Sequence, residues 1–90
     1  MNSNLHIIDN KVEYYQLAEH YFQNIDLDEH ERINFDEIIQ KSISILLDHD
    51  LIPTPCVEIK LELLKDQKKI GNYFLYVNEK KEFIDEFLIT

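Results

Sequence analysis

The densest group of potential metal ligands in this 90-residue sequence is residues 26–37, which read Asp-Leu-Asp-Glu-His-Glu-Arg-Ile-Asn-Phe-Asp-Glu. A twelve-residue calcium loop of the EF-hand type needs oxygen ligands at its first, third, ninth and twelfth positions, among others. The residues at those four positions are Asp26, Asp28, Asn34 and Glu37. However, Glu31 occupies the sixth position, which needs glycine for a sharp turn, and His30 occupies the fifth, which needs an oxygen ligand. The pattern therefore favours an acidic connection in which Asn34 and Glu37 cap a helix, with calcium binding as the alternative.

The other side chains that could do chemistry are scattered along the sequence. The four histidines, His6, His20, His30 and His49, include no pair at the i, i+4 spacing of a helical zinc site. Cys56 is the only cysteine, and Ser42 and Ser44 lack the flanking glycines of a nucleophile elbow. The single glycine, Gly71, excludes a glycine-rich phosphate loop and indicates a bulge or a close backbone approach within a strand. We therefore expect no catalytic residue, no metal and no cofactor, and a protein that is not an enzyme.

Length and charge limit the kinds of protein that this chain can be. Its 90 residues are enough for a single domain, residues 1–90, and 44% of them are hydrophobic. The net charge is −9, which argues against direct binding to nucleic acid or to an anionic membrane. Residues 1–50 carry eleven acidic and three basic side chains, whereas residues 51–90 carry seven and six. The lone cysteine, the lack of a long apolar run and the lack of a visible signal peptide predict a cytoplasmic protein.

Hydrophobic spacing predicts two helices in the acidic half. Asn10 and Glu13 have the spacing of a capping box and begin the first helix, over residues 10–25. Its apolar stripe, at intervals of three and four residues, is Tyr14, Leu17, Ala18, Tyr21, Phe22 and Ile25. The second helix is expected over residues 34–51 and must end before Pro53, because proline cannot continue a helix. Its stripe is Phe35, Ile38, Ile39, Ile43, Leu46 and Leu47.

The second half changes to the alternating pattern of strands. Three strands are expected over residues 56–64, 70–77 and 82–89, with short connections that predict an antiparallel meander. The predicted fold is therefore α+β, in the order α-α-β-β-β, with two helices covering one face of a three-stranded sheet. In this arrangement the first and third strands are the edges. Their exposed charges favour protection of each edge, and pairing with a partner's strand is the alternative.

The predicted binding surface lies in the acidic half, because an acidic face speeds encounter with a cationic partner. Tyr15 lies off the main stripe of the first helix and is the candidate for an exposed aromatic contact. The full set of candidate partner-binding residues is Asp26, Asp28, Glu29, Glu31, Glu19, Asp36, Asp48, Asp50 and Tyr15.

The C-terminal segment 70–88 reads Ile-Gly-Asn-Tyr-Phe-Leu-Tyr-Val-Asn-Glu-Lys-Lys-Glu-Phe-Ile-Asp-Glu-Phe-Leu. With the small size and one-sided acidity, this hairpin resembles the small acidic immunity proteins of bacterial contact-dependent inhibition and other polymorphic toxin systems. The resemblance covers about a quarter of the chain, and no family residue is carried over by motif. It implies a cytoplasmic protein that binds one cognate toxin domain and blocks its active site or substrate entry.

The functional expectation is an immunity or inhibitor protein that neutralises a cognate basic toxin domain, such as a nuclease. It requires no cofactor, no direct nucleic-acid contact and no membrane, and we expect a monomer or weak homodimer. Two alternatives stay open at this point. One is a decoy that mimics nucleic acid and inhibits a host defence complex; the other is a calcium-responsive module built on residues 26–37.

Overall fold

The computed structural model describes residues 11–25 and 35–90. Within these ranges it contains one helix, α1 (Lys11–Gln23), and four strands. The strands are β1 (Glu37–Leu46), β2 (Cys56–Lys65), β3 (Lys68–Val77) and β4 (Phe83–Ile89). They form one sheet in the order β1-β2-β3-β4, and each strand is antiparallel to its neighbours. The class is therefore α+β with an antiparallel sheet, as the sequence predicts.

The two faces of the sheet differ in what covers them. We call the face that carries Val57, Ile59, Leu61 and Leu63 the core face, because these side chains are buried and α1 packs against them. Their partners on β3 are Val77, Leu75, Tyr73 and Gly71, and α1 contributes Tyr14, Ala18 and Phe22 to the same cluster. We call the opposite face, which carries Glu58, Lys60 and Glu62, the outer face. The alternation along β2 thus produces one buried and one largely polar face.

The prediction of a second helix over residues 34–51 is wrong, because residues 37–46 form β1. Isoleucines and the Ser-Ile-Ser-Ile run at 42–45 suit a strand, where β-branched side chains pack well. A register shift between Gln40 and Ser42 places an extra residue, Lys41, in β1. Ile38 and Ile43 both lie opposite core-face residues of β2. They are five positions apart in sequence, so only the bulge allows them to share one face of the strand. The bulge therefore interrupts the alternation and produces the helix-like spacing of the apolar residues.

This correction changes which strand lies at the first edge of the sheet. Because β1 pairs with β2, the strand predicted as an edge over residues 56–64 is central. The prediction that residues 82–89 form an edge strand is confirmed for the described residues. The first helix is also confirmed, as α1, while its predicted cap Asn10 lies outside the described residues.

The hairpin between β2 and β3 is tighter than the sequence suggests. The loop predicted over residues 65–69 is reduced to Asp66 and Gln67, both with positive φ, 52° and 66°. Two consecutive residues of this kind are typical of the turns that match strand twist. Gly71 makes the expected close backbone approach, since a Cβ there would lie 2.8 Å from the Ile89 carbonyl oxygen.

One ion pair joins α1 to the turn between β3 and β4. Lys81 Nζ binds Glu13 Oε2, and the same ammonium lies 5.4 Å from the centre of the Tyr14 ring. The helix begins beside this turn and ends where Phe22 packs against Tyr73, with 5.3 Å between ring centres. Of the part of the chain that the structure describes, no helix is long and apolar enough to cross a membrane.

Candidate binding surface in the connection between the first two strands

The connection between β1 and β2 presents the most unusual surface among the described residues. Its first five residues, 47–51, which we call the acidic loop, read Leu-Asp-His-Asp-Leu. Leu47 is 78% exposed and Leu51 is 87% exposed, and both aspartates between them are exposed. Leucines this accessible leave most of their apolar side-chain area in contact with water. The loop therefore combines apolar contact area with negative charge.

The acidic loop is held by hydrogen bonds to a side chain of its own. The backbone N–H groups of Leu51 and Ile52 donate to His49 Nδ1 at 3.0 and 3.1 Å. Accepting both bonds requires an unprotonated Nδ1, so the proton of the neutral imidazole lies on Nε2. This arrangement closes a tight turn around Asp50 and fixes the direction of Leu51.

A small apolar cluster on the outer face anchors the end of the acidic loop. Ile52 is only 4% exposed and packs with Cys56 and Tyr76. The His49 ring lies 6.1 Å from the Tyr76 ring at an angle of 66° between planes. Because Ile52 is buried directly after Leu51, the loop cannot fold back onto the sheet without losing this contact. The exposed leucines are thus presented by a fixed base.

Tyr76 and Glu58 form the polar part of this base. The Tyr76 hydroxyl donates to Glu58 Oε2 at 2.6 Å. Burial and this hydrogen bond to Glu58 raise the pKa of Tyr76 above its ordinary range. Burial, together with the nearby Glu58 charge, also raises the pKa of the Cys56 thiol, which disfavours the reactive thiolate. The thiol and the phenol at the base of the loop are therefore favoured in their neutral forms, beside the Glu58 carboxylate.

Two of the acidic residues predicted as partner contacts, Asp48 and Asp50, meet in the acidic loop. Asp36 does not belong to the same surface. Its N–H donates to the Leu64 carbonyl at 2.9 Å, and its Oδ2 accepts from the Asp66 N–H at 3.0 Å. β1 has ten residues between the two sites. At about 3.3 Å per residue, Asp36 lies roughly 30 Å from the acidic loop.

The candidates on α1 occupy a different part of the molecule. Glu19 is half-buried. Tyr15, predicted as an exposed aromatic contact, is instead half-buried and packs against the core, and burial raises its pKa. Tyr15 follows Tyr14 directly in the helix and therefore lies at the margin of the apolar stripe that faces the sheet. The candidate contacts Asp26, Asp28, Glu29 and Glu31 lie outside the described residues. So does the alternative calcium loop over residues 26–37, of which only the last three residues are described.

The two exposed leucines of the acidic loop are surface residues that sequence reasoning missed. Leu47 was expected in the buried stripe of a second helix, and Leu51 was expected at the end of that helix. Once residues 37–46 are read as a strand, an Asp-His-Asp run followed by Pro53 and Pro55 indicates an exposed turn. A leucine on each side of a polar turn was therefore the sequence feature that could have indicated these exposed side chains.

The acidic loop does not have the composition of a metal centre. Within residues 11–25 and 35–90, no group of three or more histidine, cysteine, aspartate or glutamate side chains is arranged to hold a metal ion. In the acidic loop itself, His49 Nδ1 already accepts two backbone hydrogen bonds. The described side chains of the acidic loop therefore do not assemble a set of cation ligands.

Comparison with known proteins finds no matching family model, no matching curated protein and no matching solved structure. The function is therefore argued from the residues of this chain and their positions in the fold.

Proposed function

We propose that this protein is an inhibitor of the immunity type, which binds a cognate basic toxin domain, in particular a nuclease, and blocks its active or substrate-binding surface. The observation that carries the proposal is the acidic loop, where Asp48 and Asp50 stand between two leucines that are 78% and 87% exposed. The inhibitor acts by occupying a surface and needs no catalytic residue or cofactor of its own. It works in the cytoplasm, where the toxin's nucleic-acid substrate lies.

The apolar part of the loop supplies affinity. Transfer of a fully exposed leucine side chain into a protein contact is worth about 1.5–3 kcal/mol. A loop held by His49 and Ile52 loses little further conformational freedom on binding, so more of that gain appears as affinity. The partner must therefore offer an apolar pocket or groove at the point of contact.

The charged part of the loop supplies speed and selectivity. A net charge of −9 attracts cationic surfaces over a distance of about 10 Å at 0.1 M salt. Enzymes that act on nucleic acid carry cationic substrate surfaces, because they must neutralise phosphates. An apolar pocket bordered by lysine and arginine on such an enzyme would match the acidic loop in both character and charge.

The acidic residues between α1 and β1 belong to the same proposal as a second contact. Reversal of Asp26, Asp28, Glu29 and Glu31 to lysine is expected to weaken partner binding by at least about 2 kcal/mol without unfolding the protein. An unchanged dissociation constant in this variant would limit the interface to the acidic loop and the sheet.

The experiment that tests the proposal starts with capture of the partner at low and high salt, followed by binding measurements on the purified pair. Leu51→Ser and Asp50→Lys change the acidic loop. Val12→Ser is the matched control for the leucine, because Val12 is 61% exposed on α1. Glu37→Lys is the matched charge reversal, because Glu37 is exposed at the far end of β1.

We expect Leu51→Ser to raise the dissociation constant about tenfold or more, as for a contact near the centre of an interface. Asp50→Lys should mainly slow association and reduce its salt dependence. The two controls should bind normally, and the intact protein should abolish the partner's activity on nucleic acid. Equal effects of loop and control variants, or a partner whose activity is unaffected, would contradict the proposal.

A further inference from the structure

Both edge strands of the sheet contain an irregularity among the described residues, but only β1 has a lysine at it. β1 contains the bulge at Lys41, which interrupts regular pairing and places a cation at that edge. The irregularity in β4 lies at Ile84; from Asp85 to Ile89 the strand pairs without interruption, and it contains neither proline nor lysine. Phe87 and Ile89 are 43% and 58% exposed in this segment. The segment Asp85–Ile89 is therefore a regular, partly apolar stretch of edge strand, of the kind that accepts another strand.

One hydrogen bond identifies which backbone groups of β4 are open. The Glu86 N–H donates to the side chain of its neighbour, Asp85 Oδ1, at 2.8 Å. This N–H therefore points away from β3. Because backbone groups alternate in direction along an antiparallel strand, Glu86 and Leu88 direct their N–H and C=O groups to the open side. Any added strand must bond to these two residues.

Charge limits how β4 can pair with a copy of itself. An antiparallel pair centred on Asp85 or Glu86 would place two identical carboxylates opposite each other, which is destabilising. A pair centred on Phe87 avoids this. It places Phe87 opposite Phe87, Asp85 opposite Ile89 and Glu86 opposite Leu88 of the second copy. In this register Glu86 and Leu88 exchange the open hydrogen bonds, and the two phenylalanine rings meet at the close, non-hydrogen-bonded position.

We propose that β4 pairs with β4 of a second copy of this chain, antiparallel and centred on Phe87, to form a continuous eight-stranded sheet. The pairing requires Asp85 to release the Glu86 N–H, and it brings together two chains of charge −9. The dimer is therefore weak and becomes stronger as salt screens the repulsion. This inference rests on the sheet edge and is independent of the function proposed for the acidic loop.

Sedimentation equilibrium over protein concentrations from micromolar to millimolar, at low and at high salt, measures the expected dimer. Phe87→Lys should raise the dimer dissociation constant at least tenfold. Gln40→Lys is the matched control, because it makes the same change in charge on the opposite edge strand and should dimerise normally. A wild-type chain that stays monomeric at millimolar concentration and high salt would overturn the proposal.

Cysteine cross-linking tests the register without depending on the folding of Phe87→Lys. In a Cys56→Ser background, Phe87→Cys should form a disulfide with itself under mild oxidation, because facing Cβ atoms at such a position are about 4.5–5.5 Å apart. Asp85→Cys alone should not form a disulfide, but a mixture with Ile89→Cys should. Self-linking of Asp85→Cys, or cross-linking of Phe87→Cys no faster than of Gln40→Cys, would refute the Phe87-centred pair.

Discussion

The two ends of the sheet use aspartate in opposite ways. At the hairpin end, Asp36 lies beside the Asp66–Gln67 turn, and its carboxylate accepts a hydrogen bond from the Asp66 N–H. At the loop end, where residues 47–55 connect β1 to β2, Asp48 and Asp50 are exposed beside exposed leucines. The same residue type therefore stabilises the fold at one end and remains available for a partner at the other. Acidity alone does not distinguish the two roles; the neighbours of each carboxylate do.

The largest loss of stability is expected at Ile52, which anchors the loop end of the sheet. Ile52→Ala removes a buried side chain, and such truncations cost about 2–5 kcal/mol of unfolding free energy. We expect a loss near the lower limit, because the cluster is small and can partly collapse. Urea denaturation measures the loss, and amide exchange should show faster opening at residues 49–52 than at the hairpin end. Uniformly faster exchange over the whole sheet would show that the loop end is not a separate unit.

High pH should weaken the fold through two tyrosines whose hydroxyls bind carboxylates. Burial, followed by the hydrogen bond from Tyr73 to Glu86 Oε1 at 2.6 Å, raises the pKa of Tyr73 above its ordinary range. Burial and Glu58 do the same for Tyr76. Since the folded state favours the neutral hydroxyls more strongly than the unfolded state does, their contribution to stability is complete below pH about 10 and is lost as the pH rises beyond it.

Thermal unfolding measured from pH 8 to 12 tests this expectation. The melting temperature should fall above pH about 10, and ultraviolet absorbance should show these tyrosines ionising together with unfolding. Tyr76→Phe should reduce the dependence on pH and loosen the acidic loop, whereas Tyr73→Phe should reduce it without affecting the loop. If both variants loosened the acidic loop equally, or neither did, the assignment of Tyr76 to the loop end would be contradicted.

Asp36 and Asp50 should differ in what they contribute to the stability of the fold and to partner binding. Asp36→Ala removes the acceptor of the Asp66 N–H and is expected to cost about 1 kcal/mol of unfolding free energy. Asp50→Ala should change stability by less than about 0.5 kcal/mol, as is usual for an exposed side chain. Partner association should respond in the reverse order. Chemical denaturation and stopped-flow binding of the two variants provide the comparison, which fails if both variants behave alike.

The smallest loss of stability is expected from breaking the ion pair between α1 and the turn before β4. Lys81→Met removes the charge that binds Glu13 and retains an apolar chain beside the Tyr14 ring. Exposed pairs contribute about 0.2–1 kcal/mol, so the loss should be small and should disappear in high salt. Urea denaturation at 0.05 and 1 M salt gives the measurement. A larger, salt-independent loss would mean that packing on Tyr14 matters more than charge.

Particular elements show how far sequence reasoning reached. α1 and β2 follow from local periodicity, because one presents an apolar stripe and the other a strict alternation; β3 and β4 follow from short apolar runs bounded by turn residues. β1 was missed because a single extra residue, Lys41, shifts the alternation by one position. The candidate site was found in part: Asp48 and Asp50 were named, but Leu47 was assigned to a buried stripe. The error in one element therefore carried over directly into the site.

The sequence by itself determined the class of the fold, the alternation that gives β2 a buried and a wet face, and the excess of negative charge. These properties depend on composition and on neighbours within a few residues. The tertiary structure alone decided that residues 37–46 pair with β2 and that Asp36 and the acidic loop stand at opposite ends of the sheet. It also decided that β2, predicted as an edge strand, is a central strand among the described residues. Pairing between strands depends on backbone contacts with distant residues, and local spacing carries no record of which partner a strand will find.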